Sequence, residues 1–205
     1  LQEMKSLFEF GEEEFGTNRS TGLHITMSWQ GEPRGGSKEV EASGENKEPN
    51  KLKMALLLGD EYLLSQFDRL TNSYTRSQYR NVLKQAEKMK QGDKQSFLKL
   101  QSELGKGVSK EKYSSIHFKD NYKKDSKSGS ELIEFRIAGG SDYQEKFDKV
   151  TKAVIRYATI MKAGYDDEAF RKEYIRAISR VVRKSQEIDP KDKERLNSIE
   201  APVID

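Results

Sequence analysis

Two short segments in which apolar and polar residues alternate place the tightest limits on how this chain can fold, namely 22–29 and 132–138. Successive side chains of a β-strand point to opposite faces of the sheet, so each segment has one apolar face suited to a core. The opposite faces carry an imidazole, two hydroxyl groups, a carboxylate and a guanidinium, from which a catalytic site can be built. These polar residues are His24, Thr26, Ser28, Glu134 and Arg136.

Apolar residues at helical spacing surround these two segments and predict several helices. A third strand is predicted over 112–118, with Ile116 and Phe118 on its apolar face and Tyr113, Ser115 and His117 on the other. A few strands with separate helices indicate an α+β domain, in which we expect an antiparallel-type sheet with helices packed on one face. The predicted helices cover 2–15, 52–69, 77–90, 93–104 and two long stretches between 141 and 183.

One domain accounts for most of the 205 residues. We expect it to span 1–183, with a mobile insertion at 30–50 that is rich in Gly, Glu, Lys, Ser and Pro, and to be followed by a polar tail at 184–205. Charged residues make up 35% of the chain and hydrophobic residues 34%. Part of so polar a chain is expected to stay outside a packed core.

The composition also narrows the possible classes of function. The chain contains no Cys, which excludes disulfides, zinc–thiolate sites and cysteine nucleophiles. A net charge of +3, with both signs interspersed, gives no support for a nucleic-acid partner. The longest apolar run, near Ala55–Leu58, is too short to span a bilayer, and no signal peptide is recognised. We therefore expect a cytoplasmic protein without a membrane partner.

His24 and Glu134 are the candidate metal ligands, because Mg²⁺ and Mn²⁺ prefer carboxylate oxygens and Mn²⁺ also accepts an imidazole. A structural interpretation stays open, in which His24 bonds a side chain of a neighbouring strand and Glu134 pairs with a lysine. Arg136 lies on the same face as Glu134 and suits a phosphate or a carboxylate, or else a cross-strand ion pair. Arg69, near the end of the predicted helix 52–69, is interpreted as a solvated helix terminus.

Four segments occur in an order that resembles the phage and bacterial amidoligase family, over roughly residues 17–163. This family comprises ATP-dependent carboxylate–amine ligases with the fold of glutamine synthetase and glutamate–cysteine ligase. The matching segments are STGLHITMS at 20–28, like the family's GLHxHxS strand, FDR at 67–69 with Tyr74 downstream, KYSSIH at 112–117, like its [KR]Yxx[VIL]N strand, and IEFRIAGG at 133–140, like its xEFRxxxG strand.

The resemblance implies a role for each matching residue. His24 and Glu134 would ligate a divalent metal, Mg²⁺ or Mn²⁺, at the phosphates of ATP. Arg136 would stabilise the transferring phosphoryl group, Glu134 would be a catalytic residue through the metal that it ligates, and Ser28 and Arg69 would contact ATP or the substrate. The implied reaction forms an acyl phosphate from a small-molecule or peptide carboxylate, which an amine then attacks.

The resemblance covers the C-terminal half of the amidoligase domain, because no counterpart of the family's ExE metal-binding strands precedes Gly22. It therefore implies that an N-terminal portion, from the same polypeptide or another chain, completes the site. The alternative is a non-catalytic structural or interaction module of a phage virion protein that retains the fold. In that case the protein would be associated with other virion subunits, and we expect it in the host cytoplasm or the virion.

Overall fold

The computed structural model describes residues 2–14, 16–28, 48–89, 96–119 and 132–187. Within these ranges, a three-stranded antiparallel sheet is combined with seven α-helices, which confirms the predicted α+β class. The strands are β1 (Ile25–Ser28), β2 (Ile116–Lys119) and β3 (Leu132–Phe135). The helices are α1 (Gln2–Glu14), α2 (Lys51–Leu57), α3 (Asp60–Gln66), α4 (Gln78–Glu87), α5 (Phe97–Gly105), α6 (Phe147–Tyr165) and α7 (Arg171–Glu187), with a 3-10 turn at Tyr143–Glu145.

The central strand of the sheet is β3, and β1 and β2 pair with it on either side in antiparallel orientation. The register sets Thr26 of β1 and His117 of β2 directly opposite Glu134. On the other face, Phe135 is fully buried, and its ring stacks on that of Tyr157 in α6 with centroids 4.2 Å apart. The predicted division into an apolar and a polar face is therefore confirmed for the described strands.

The predicted helix 52–69 is wrong as a single element, because it is divided into α2 and α3. Gly59 separates the two helices with a left-handed backbone, φ +67°, a conformation that Gly adopts without the steric cost of a side chain. Helix α2 is buried along nearly its whole length. Even its Lys53 is buried, and its Nζ donates to the backbone oxygens of Asp166 at 2.8 Å and Asp167 at 3.2 Å, just beyond the end of α6.

The end of the predicted insertion 30–50 and the start of the predicted tail 184–205 lie within the described residues. Most of the predicted insertion 30–50 lies outside the described residues, but its last residue, Asn50, is anchored. The backbone N–H of Asn50 donates to the oxygen of Gly164 at 2.8 Å, and its side chain accepts a bond from the N–H of Lys53 as the N-cap of α2. At the other end, α7 continues to Glu187, past the predicted start of the tail at residue 184. Residues 188–205 lie outside the described ranges.

A fully buried carboxylate joins α3, α4 and the chain leading into β2. Asp60 accepts hydrogen bonds from the hydroxyl of Ser77 at 2.9 Å, from the backbone N–H of Gln78 at 2.6 Å and from the hydroxyl of Ser115. The prediction that Ser115 shares the polar sheet face with His117 is therefore wrong. Regular alternation starts only with β2 at residue 116, so it does not extend to Ser115.

None of the helices in the described ranges combines the length and the apolar character needed to cross a bilayer.

Candidate functional site

The polar face of the sheet is centred on Glu134, whose residue surface is only 7% exposed. One carboxylate oxygen, Oε1, lies 3.1 Å from Nδ1 of His24. The other, Oε2, lies 3.5 Å from a terminal guanidinium nitrogen of Arg136 and 3.6 Å from Nζ of Lys119. We call these four residues the Glu134 cluster. The structure therefore brings together three of the predicted site residues and adds Lys119.

The position of His24 depends on a close approach between two glycines. Gly22 forms a bridge with Gly139, and the N–H of Leu23 donates to the oxygen of Ala138 at 3.1 Å, so the chain before β1 continues alongside the end of β3. A Cβ atom at Gly22 would lie 3.1 Å from Nε2 of the imidazole. The absence of a side chain at Gly22 therefore leaves room for the imidazole to lie on the polar face.

The electrostatic surroundings favour a neutral His24. Burial lowers its pKa below the ordinary value, and the guanidinium groups of Arg136 and Arg69 lower it further, although the carboxylate of Glu134 acts in the opposite direction. A neutral imidazole carries one N–H and one lone pair. Because Nδ1 faces a carboxylate oxygen, we assign the proton to Nδ1 when no metal is bound, and a metal shared with Glu134 would require the tautomer with the proton on Nε2 and the lone pair on Nδ1.

Arg69 is 2% exposed, so its interpretation as a solvated helix terminus is wrong. It lies beyond the end of α3, and its guanidinium donates to the backbone oxygen of Ala138 and, at 3.0 Å, to the hydroxyl of Thr75. That hydroxyl donates in turn to the backbone oxygen of Arg136 at 3.2 Å. The buried guanidinium therefore holds the chain after α3 against the chain after β3, which carries Arg136 of the Glu134 cluster.

Ser28, the remaining predicted site residue, lies at the end of β1 in register with Leu132. The residue of β1 that lies opposite Glu134 is Thr26, two positions earlier. Lys119 is thus the residue of the site that the sequence did not single out. Lys119 follows His117 by two positions in β2, and residues two apart in a strand share a face. This spacing is the sequence signal that places Lys119 on the polar face.

Positive charge exceeds negative charge around this face. Among the described residues, Lys119, Arg136 and the adjoining Arg69 are cations, the lowered pKa of His24 favours its neutral form, and Glu134 is the carboxylate that contacts this group. Nε of Arg136 is also buried without a hydrogen-bond partner in the structure, and such a donor lowers stability unless it is satisfied. An excess of guanidinium and ammonium groups suits an anion with several oxygens, such as a phosphate.

The donor atoms also fit a metal that arrives with such an anion. Nδ1 of His24 and Oε1 of Glu134 lie 3.1 Å apart, close enough for both atoms to reach one ion when the imidazole proton is on Nε2. Across the ranges that the structure describes, no group of three or more His, Cys, Asp or Glu residues is placed to hold a metal. Mg²⁺ commonly takes one or two carboxylates and completes its shell with substrate phosphates and water.

The same contacts satisfy the structural interpretation, in which His24 bonds a neighbouring strand and Glu134 pairs with a lysine. The chemistry of the Glu134 cluster distinguishes a metal and phosphate site from this structural interpretation. Comparisons with protein-family models, with curated proteins and with solved structures find no match to this chain.

Proposed function

We propose that the polar face of this sheet binds the phosphates of ATP together with Mg²⁺ or Mn²⁺, as part of an ATP-dependent carboxylate–amine ligase. The observation that carries the proposal is the approach of His24 to Glu134 at 3.1 Å, beside the guanidinium of Arg136. A neutral imidazole and a carboxylate are suitable ligands for these metals, and a guanidinium is suited to a phosphoryl group.

Each residue has a distinct role in the proposed reaction. A substrate carboxylate attacks the terminal phosphorus of ATP, which gives an acyl phosphate and ADP, and an amine then displaces phosphate to form the amide. His24 and Glu134 would hold the metal, which would supply positive charge to neutralise the phosphates. Arg136 stabilises the charge of the phosphoryl group during its transfer. Arg69 is a positioning residue, because it contacts the backbone after β3.

A second candidate is a non-catalytic structural or interaction module, such as a subunit of a virion. It is favoured by one observation, namely that the carboxylate of Glu134 contacts three nitrogen-bearing side chains of the protein itself. A buried polar network of this kind can serve to hold a sheet in register. Such a module would have no reason to bind ATP, so nucleotide binding separates the two candidates.

The change Glu134→Gln is expected to have opposite effects on polyphosphate binding with and without metal. With Mg²⁺ or Mn²⁺ present, loss of a metal-ligating oxygen should weaken ATP binding on the order of 100-fold, or about 2.7 kcal/mol. Without metal, loss of the negative charge should strengthen the binding of inorganic tripolyphosphate, because a repulsion is removed. Calorimetric titration of the folded protein in the two conditions measures both dissociation constants.

The exposed Glu168, which pairs with Arg171 outside the sheet, provides the matched control. Glu168→Gln removes the same charge and should change neither dissociation constant by more than about twofold, or ~0.4 kcal/mol. If the folded protein binds no ATP with either metal, the ligase proposal fails and the structural module is preferred. Weakening by Glu134→Gln in both conditions would instead show that Glu134 does not act through a metal.

A further inference from the structure

Two tyrosines adjoin the Glu134 cluster on the side of Arg136. The rings of Tyr74 and Tyr113 lie edge to face, with centroids 5.9 Å apart and an angle of 70° between the planes. The guanidinium carbon of Arg136 lies 5.8 Å from the centre of the Tyr113 ring, and Nζ of Lys112 lies 5.0 Å from it. We call Tyr74 and Tyr113 the tyrosine pair. It forms an aromatic extension of a surface that is otherwise cationic.

The backbone, rather than the rings, determines where the tyrosine pair lies. Arg76 and Ser114 form a parallel bridge between the two chain segments. The N–H of Arg76 donates to the oxygen of Tyr113 at 2.7 Å, and the N–H of Ser115 donates to the oxygen of Arg76 at 2.8 Å. The two rings are therefore presented by a hydrogen-bonded framework, which is the arrangement expected of a preformed binding surface.

Tyr74 differs from the other member of the pair in its exposure to solvent. It is 53% exposed, whereas Tyr113 is partly covered by Arg136 and Lys112. One exposed aromatic ring on a protein surface is ordinary. An exposed ring that is fixed by its neighbour and lies next to a cluster of phosphate-binding cations is the combination that binds nucleobases, because the base stacks on the ring while the cations hold the phosphates.

We propose that the tyrosine pair binds the purine ring of the nucleotide, with the ring stacked on the exposed face of Tyr74. This inference rests on the proposed function, since it assigns the phosphates of the same nucleotide to the Glu134 cluster. Arg136 lies between the two parts, in contact with Glu134 on one side and with the Tyr113 ring on the other. The ligand is therefore recognised by stacking at one end and by charge at the other.

Parallel titrations of Tyr74→Ala with ATP and with inorganic tripolyphosphate, both in the presence of Mg²⁺, distinguish binding of the base from binding of the phosphates. Loss of the stacking ring should raise the dissociation constant of ATP about 10-fold and leave that of tripolyphosphate unchanged. Tyr74→Phe keeps the ring and should bind ATP as the unmodified protein does. Tyr74→Leu retains apolar bulk without an aromatic face and should resemble Tyr74→Ala, which provides a second variant if the alanine protein is poorly folded.

Tyr62→Ala, at a partly exposed tyrosine of α3, serves as the control and should affect neither ligand. If Tyr74→Ala and Tyr74→Leu bind ATP normally, the base does not lie on Tyr74 and the inference is overturned while the proposed function stands. Equal weakening of ATP and tripolyphosphate also overturns it, because Tyr74 would then act on the phosphate end. If neither ligand binds to the unmodified protein, the proposed function itself fails.

Discussion

Replacement of Asp60 by alanine is expected to lower the free energy of unfolding by about 3 kcal/mol, or to lower the melting temperature by roughly 6–12 °C. The change removes the acceptor of the Ser77 and Ser115 hydroxyls in a fully buried place, and it leaves the N–H of Gln78 with the hydroxyl oxygen of Ser115, at 3.2 Å, as its remaining acceptor. Part of this cost is offset, because the burial of a charged group is also removed. Chemical denaturation monitored by circular dichroism measures the change.

Asp60→Asn tests whether hydrogen bonding rather than charge explains the effect. The amide oxygen can replace Oδ2, which accepts from Gln78 and Ser115, and the amide nitrogen would then donate to a rotated Ser77 hydroxyl. We expect a loss of only about 1 kcal/mol. Asp148→Ala, at an exposed position of α6, should change stability by less than about 0.5 kcal/mol. Equal losses for the alanine and asparagine variants would show that the charge of Asp60, not its hydrogen bonds, is the stabilising factor.

The stability of the protein relative to Asp60→Asn is expected to decrease as the pH rises from about 4. Burial raises the pKa of Asp60 above its ordinary value, more than the hydrogen bonds from Ser115 and Ser77 lower it. As the pH rises, Asp60 loses its proton first in the unfolded chain, where its pKa is lower. The unfolded state is thereby stabilised relative to the folded state until the buried carboxyl of the folded protein also ionises. Denaturation of both proteins between about pH 4 and 8 provides the test. An increase with pH would show that the hydrogen bonds outweigh burial.

The division of the sheet into two faces could be predicted from the sequence, because alternation in a strand depends only on neighbouring residues. Phe135 and Glu134 lie on opposite faces as predicted. The interpretation of His24 and Glu134 as ligands of one metal predicts that these two residues lie close together, although they are far apart in the chain. Which residue lies opposite Glu134 depends on the register with β1 and β2. The register is a property of strand pairing, so the contact of Lys119 with Glu134 is not evident from the sequence.

Other features depend on contacts that no local pattern contains. The apolar spacing over 52–69 is the same for one helix as for two helices that cover the same core, so the break at Gly59 was missed. The burial of Arg69 depends on a backbone oxygen at Ala138, far along the chain, and on the hydroxyl of Thr75. A charged residue after a helix is commonly solvated. Only the tertiary structure shows that this one is enclosed.

Arg69→Ala is expected to be the most destabilising of these changes, with a loss of about 4 kcal/mol in the free energy of unfolding. The variant leaves a cavity where a nearly fully buried side chain lay. It also leaves the backbone oxygen of Ala138 without the guanidinium donor, and the hydroxyl of Thr75 without its donor. Because Thr75 also contacts the backbone of Arg136, we expect the end of β3 to become less ordered. Denaturation curves give the loss of stability.

Arg69→Lys tests whether a positive charge alone is sufficient to maintain the stability of the protein. An ammonium group cannot present the two-pronged geometry that reaches Ala138 and Thr75 together, so we expect a loss of about 2 kcal/mol in spite of the retained charge. The exposed Arg76 provides the control, because Arg76→Lys changes the same groups in an exposed ion pair with Glu111 and should cost less than about 0.5 kcal/mol. If Arg69→Lys is as stable as the unmodified protein, the guanidinium does not join the two chain segments. A loss in Arg69→Lys that is accompanied by weaker tripolyphosphate binding would show that the order of the Glu134 cluster depends on this buried side chain.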